Sequence, residues 1–420
     1  MPRPSRRLAV AALLLAATAG LAVSRDWTTD LTAVADRARG GRASSEAAAL
    51  TDEAIKLYAA GHYARACDRF RTAAEHDPAS TARREDAWRC FEGWGWQALA
   101  DGRAAEAVAL FRQGLRDAPD SPDLLRGLGV AAVHAGRADE AIEPLEAVTG
   151  AGHDPAVRML LAHVYDRRDE PALALAHLRA VLAGEPRHEA ARRLLAKLER
   201  EQRAEASFDR ETADGLVIKW PAAVSPERRR LVRHLLESAR DRLGRDLRYR
   251  ATDPVTVVMY ADEEFRAVTG AHPWASGVFD GKIRLPSGAP ERDLDRLVTH
   301  EMTHAAIHAL TRGRAPRWLH EGVAQAMEGV AVDPMLRVPA SVNLAGVETL
   351  ITDPDPLRAR TGYDLSVWIA RDLLDRGGTA RLADLLERLG AGEPLDAAFT
   401  RVYGLPLAEL ESQWRRLLGG

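Results

Sequence analysis

Two histidines and a glutamate stand together at His300-Glu301-Met302-Thr303-His304. On a helix, positions i and i+4 project from one face. His300 and His304 can therefore direct one ring nitrogen each at a single metal ion, and imidazole pairs of this kind suit zinc. Glu301 lies beside them around the helix, placed to hold a water on that ion and to take its proton as general base. After attack on a carbonyl, the same carboxyl can return the proton to a leaving amine. Chance alone produces the five-residue pattern in roughly 3% of chains with this histidine and glutamate content, so it needs a second part. A catalytic zinc takes three protein ligands and keeps a fourth position open. Glu321, 17 positions after His304 in Pro316-Arg317-Trp318-Leu319-His320-Glu321-Gly322-Val323-Ala324, is the candidate third ligand. A second helix returning past the first would bring its carboxylate to the two imidazoles.

Other histidines compete less well. His308 is one turn beyond His304, but one helix does not easily bring three successive turns to one ion, so packing or support of a ligand suits it better. His320 points elsewhere if Glu321 ligates; it lines the cleft or, as the preferred reading, is exposed. A metzincin site would need Gly and His at the positions held by Ile307 and Leu310, which excludes that class. A purely structural zinc would be closed by four protein ligands, usually including cysteine, and no cysteine is near.

The helix that must carry the motif has Pro290 for its first turn and Gly313 for its stop. Leu294, Leu297, Val298, Met302 and Ala306 supply its packing face. Ahead of it, Gly215 to Trp220 and Val255 to Tyr260 read as strands, with an amphipathic helix from Pro226 to Leu243 between them. Asp280-Gly281 joins Gly277-Val278-Phe279 to Lys282-Ile283-Arg284-Leu285 as a hairpin. Everything after about Thr361 reads as helix. Residues 215–420 thus form an α+β domain, and the polar stretch 201–214 reads as a linker.

Residues 45–200 are helical and repetitive. Gly61-His62-Tyr63-Ala64-Arg65-Ala66 recurs as Gly102-Arg103-Ala104-Ala105-Glu106-Ala107 and Gly136-Arg137-Ala138-Asp139-Glu140-Ala141, with a degenerate copy from Asp169. The intervals are 41, 34 and 33 residues. Glycine opens each tight turn, and Pro78, Pro119, Pro155 and Pro186 close the copies. Over about 150 residues this part resembles the tetratricopeptide-repeat family, antiparallel helix pairs stacked into a solenoid. Such a groove either takes a protein partner or serves as a spacer. Cys67 and Cys90 fall here; they pair in an oxidising compartment or remain buried thiols. Trp94 and Trp96 read as core or groove residues rather than a cofactor site.

Arg3, Arg6 and Arg7 precede an apolar stretch from Leu8 to Val23, with small residues at Ala17, Ala19, Ala22 and Ser24. Residues 1–24 read as a signal peptide or an N-terminal membrane anchor through residues 8–23. Either places the body outside the cytoplasm, secreted, periplasmic or anchored facing outward. The formal net charge of -3 gives no support to a nucleic-acid partner.

His-Glu-Met-Thr-His followed by Pro-Arg-Trp-Leu-His-Glu-Gly-Val-Ala resembles the gluzincin metallopeptidases of the peptidase MA-like group. The likeness extends over about Gly215 to Leu418 and includes Tyr363-Asp364-Leu365-Ser366-Val367-Trp368 and the closing Leu407 to Trp414. The resemblance implies a thermolysin-like fold after the solenoid, one Zn2+, the ligands His300, His304 and Glu321, and Glu301 as the catalytic residue. It implies a protein or peptide substrate held along an edge strand, which would be Lys282 to Leu285. Tyr363 stands at a matching position and is the candidate oxyanion donor, with a core or helix-start role as the alternative. Gluzincins often orient a histidine with a carboxylate one turn after the glutamate ligand; here that residue is Gln325. The expected function is an exported zinc metallopeptidase whose repeats recruit partners or substrates. The alternative is a low-activity scaffold whose repeats mediate assembly at the cell envelope.

Overall fold

Helical hairpins fill the first unit of the computed structural model, which describes residues 45–418 except 153, 252–253, 271–276, 334–335 and 337–341. They are α1 (Ser45–Ala59) with α2 (Tyr63–His76), α3 (Thr81–Ala100) with α4 (Ala104–Asp117), α5 (Pro122–His134) with α6 (Ala138–Ala151), and α7 (Pro155–Arg167) with α8 (Pro171–Gly184). Each hairpin turns on one residue in the left-handed region: Gly61 at φ 77°, Gly102 at 78°, Gly136 at 72° and Asp169 at 61°. Aspartate tolerates that region better than most residues, which is how the fourth copy dispenses with glycine. The stretched first interval also has a local cause. Helix α3 has 20 residues where α5 has 13, and the difference of 7 equals the excess of 41 over 34.

Cys67 on α2 and Cys90 on α3 are joined in a disulfide, with their Cα atoms 5.4 Å apart. Trp94 stacks on Tyr63, and Trp96 meets Phe111 edge-on, so both indoles act in packing.

A second compact unit begins at Ala196, inside α9 (Glu189–Ala204). The stretch 201–214, expected as a linker, is structured instead. It holds the end of α9 and strand β1 (Asp209–Ala213), which pairs antiparallel with β2 (Leu216–Trp220). The charges that made it look like a linker have partners. Glu205 holds Lys219 of β2 at 2.7 Å, and Glu201 holds the buried Arg284 at 3.1 Å. A polar strand is what a sheet edge favours.

The sheet continues through β3 (Val255–Tyr260), β5 (Ile283–Pro286) and β4 (Val278–Phe279) in the order β1-β2-β3-β5-β4. Strands β2, β3 and β5 are mutually parallel, while β4 folds back antiparallel on β5. The Asp280-Gly281 turn is therefore as expected, but the edge is not. Ile283 and Arg284 of β5 are paired on both sides, and β4 is the edge strand at that end of the sheet. A hairpin signal identifies two partners without saying which one continues into the sheet.

One sheet face, including Ile218, Trp220, Val257, Met259 and Leu285, is buried in the main core with α10 (Pro226–Asp246) and α12 (Glu291–Thr311). On the other face Val258 and Tyr260 pack with Phe265 and Val268 of α11 (Asp262–Thr269). The remaining elements are α13 (Arg317–Met327), α14 (Leu344–Ile351), α15 (Pro356–Gly390), α16 (Leu395–Tyr403) and α17 (Leu407–Leu418). Among the described residues no helix is long and apolar enough to cross a membrane. The expected signal peptide or anchor at 1–24 lies outside the described residues.

Candidate metal centre

Helix α12 starts after Pro290 and stops where Arg312 and Gly313 take left-handed backbone, at φ 52° and 72°. Leu294, Val298, Met302 and Ala306 bury its inner face completely. One turn apart on the flank, His300 and His304 face each other with their Nε2 atoms 3.1 Å apart.

Helix α13 brings the third group, and two contacts seat it. A Cβ on Gly322 would lie 2.1 Å from the Ser366 carbonyl oxygen, so glycine lets the backbones of α13 and α15 close on each other. Pro316 offers no side-chain cap, and Glu348 of α14 supplies one instead. Its carboxylate accepts from the backbone N–H of Arg317 at 2.9 Å and of Trp318 at 3.0 Å. With α13 so placed, Glu321 Oε2 lies 3.8 Å from His300 Nε2 and 3.6 Å from His304 Nε2. Donors bound at 2.0–2.1 Å around a tetrahedral zinc stand about 3.3–3.4 Å apart, so this triangle fits the ion.

Residues 239–420 match the Peptidase MA superfamily, and residues 98–164 match the tetratricopeptide repeat. The chain is a tetratricopeptide repeat followed by a Peptidase MA superfamily domain. No curated protein matches the chain.

Charge in the Peptidase MA centre is arranged for a cation. Burial opposes protonation of His300, but its hydrogen bond to Glu328 and the charges of Glu301, Glu321 and Glu328 outweigh it and raise the imidazole to about 9. Burial pushes the Glu321 carboxyl up, yet the adjacent His304 and His300 hold it down to about 2. A carboxylate and two imidazoles drawn together this tightly compete for a positive ion. Glu301 is raised, chiefly by burial, against the pull of His300 and His304. Its Oε2 is buried with no hydrogen-bond partner among the described residues.

Three residues that sequence reasoning missed support these groups. Glu328 accepts from His300 Nδ1 at 3.3 Å, which turns Nε2 toward the ion position. Gln325, where the resemblance implies a carboxylate, leaves its Oε1 buried and without a partner among the described residues. Glu328 lies seven positions after Glu321, on the same helix face, and that spacing is the signal that could have found it. Glu348 acts through the cap already described. Gly277, just before β4, lies against Glu301: a Cβ there would lie 2.5 Å from Glu301 Oε1.

The competing histidines divide. His320 is half-buried rather than exposed, with its ring 5.7 Å from that of His304, and it lines the site. Burial, with His304 and His308 nearby, lowers it to about 3. His308 packs edge-on against Phe279 of β4. Tyr363 sits half-buried on α15 against the main core, close enough to Arg317 to act on its charge.

Proposed function

We propose that the chain is an exported zinc-dependent peptidase in which His300, His304 and Glu321 hold the metal and Glu301 is the general base. The reading is carried by the donor triangle of 3.1, 3.6 and 3.8 Å with the buried Glu301 carboxylate beside it. Bound zinc would supply Lewis acidity, lowering the pKa of a water and polarising the scissile carbonyl. Glu301, with one oxygen free of partners among the described residues, takes the proton of the attacking water and passes it to the leaving amine. Glu328 keeps His300 in the tautomer that ligation needs. Tyr363 is proposed as the donor to the developing oxyanion. The edge strand Val278–Phe279 offers backbone groups to an extended substrate, and the repeats recruit protein partners or substrates. Export accords with the Cys67–Cys90 disulfide, a bond typical of oxidising compartments.

A scaffold of low activity would have no use for a buried glutamate beside the donor triangle whose Oε2 has no hydrogen-bond partner among the described residues. Glu301→Gln keeps the shape and removes the base. The variant is expected to retain its zinc and to lose cleavage of a substrate that the wild type cuts. Unchanged turnover would overturn the mechanism.

A further inference from the structure

Helix α13 carries two donors that the hydrolytic step leaves unused. Arg317, His320, Glu321, Gln325 and Glu328 follow i, i+3, i+4 spacing and fall on one stripe of the helix. The neighbouring Trp318, Leu319, Val323 and Ala326 are buried in the core. At the C-terminal end of the stripe, Glu328 is engaged with His300. At the N-terminal end, the Arg317 guanidinium and the His320 ring have no hydrogen bond or ion pair among the described residues.

The two nearby carboxylates do not answer Arg317. Glu348 turns its two oxygens to the backbone N–H groups of Arg317 and Trp318. Glu321, one turn along, faces the imidazoles. Arg317 is half-buried, and desolvation lowers its pKa against the pull of Glu348 and Glu321. A guanidinium partly withdrawn from water and left unpaired is a standing cost that a ligand anion would relieve. The site is close to the chemistry, since the His320 ring lies 5.7 Å from that of His304.

We propose that Arg317, with His320 beside it, binds a carboxylate of the peptide substrate next to the scissile bond, so that the enzyme selects substrates carrying a negative charge there. The inference rests on the peptidase reading. A guanidinium takes a carboxylate through two parallel hydrogen bonds, and imidazole adds an N–H donor in either protonation state. That carboxylate comes from a free C-terminus or from an aspartate or glutamate side chain, and the two sources can be told apart.

The test is calorimetric titration of the zinc-loaded full-length protein with three short peptide hydroxamates. They share one sequence and end in a free carboxylate, in an amide, or in an amidated glutamate. The wild type is expected to bind one or both acidic probes about 10–100-fold more tightly than the amide. Preference for the free terminus alone identifies a C-terminal carboxylate, and preference for the amidated glutamate identifies a side chain. Arg317→Met is expected to bring the ratio close to one, and Arg317→Lys to an intermediate value, each with zinc content equal to wild type. Equal binding of all three probes by wild type, or an unchanged ratio in Arg317→Met, overturns the role of Arg317. Failure of zinc-loaded wild type to bind any hydroxamate overturns the peptidase reading itself.

Discussion

The Glu328 carboxylate accepts a hydrogen bond from His300 Nδ1, and through it sets which way the other ring nitrogen points. Glu328→Gln keeps a polar group of similar size but removes the charge that favours a cation. Zinc affinity, read by competition with a chelator, is expected to fall about 10–100-fold while the far-ultraviolet spectrum is unchanged. An unaltered affinity would show that the bond has no part in ligation. The grouping of His300, His304 and Glu321 was legible in the sequence because metal chemistry links their spacing. His300, Glu301 and His304 share adjacent turns of one helix, and Glu321 is embedded in a recognisable segment. Glu328 was hidden because the expected position was one turn earlier, at Gln325. Gly277 was hidden because nothing local shows which backbone will lie against Glu301 across a loop and a hairpin. His320 was misjudged for a related reason: neighbours on one helix diverge by about 100°, but a second helix packed alongside can reach both.

The elements matter through how they set α13. Its first turn lacks a side-chain cap of its own, and Glu348 closes that turn from a different helix. Glu348→Ala is expected to lower stability by about 1–2 kcal/mol in urea denaturation and to weaken zinc binding, because Glu321 lies in the turn just beyond. Stability that falls with zinc affinity unchanged would separate the cap from the site. Strand and helix identities followed from β-branched runs, the Asp280-Gly281 turn and apolar periodicity. Strand β1 did not, since its residues are polar and only its pairing with β2 makes it a strand. The edge position of β4 was equally unreadable. It depends on β3 pairing with Ile283–Pro286, a contact between segments separated by a helix.

At the scale of the molecule, the repeat unit and the Peptidase MA unit have separate cores and separate devices. The repeats were legible because each hairpin needs a left-handed residue at a fixed interval, and glycine marks three of the four. The state of the two cysteines was open in the sequence and is closed by the proximity of α2 and α3. With a sequence separation of 23, removing that bond by paired Cys67→Ala and Cys90→Ala changes is expected to cost the repeats about 3 kcal/mol. Thermal unfolding should show a lowered transition while zinc content stays unaltered. Loss of zinc together with the bond would mean that the two units depend on each other more than this account holds.

In the proposed enzyme His300, His304 and Glu321 together hold zinc. Metal analysis of the purified wild type and of Glu321→Ala, after dialysis against a weak chelator, tests it most directly. One equivalent of zinc in the wild type and its loss in the variant is the predicted result. A wild type without zinc, or a variant that keeps the full equivalent, would contradict it.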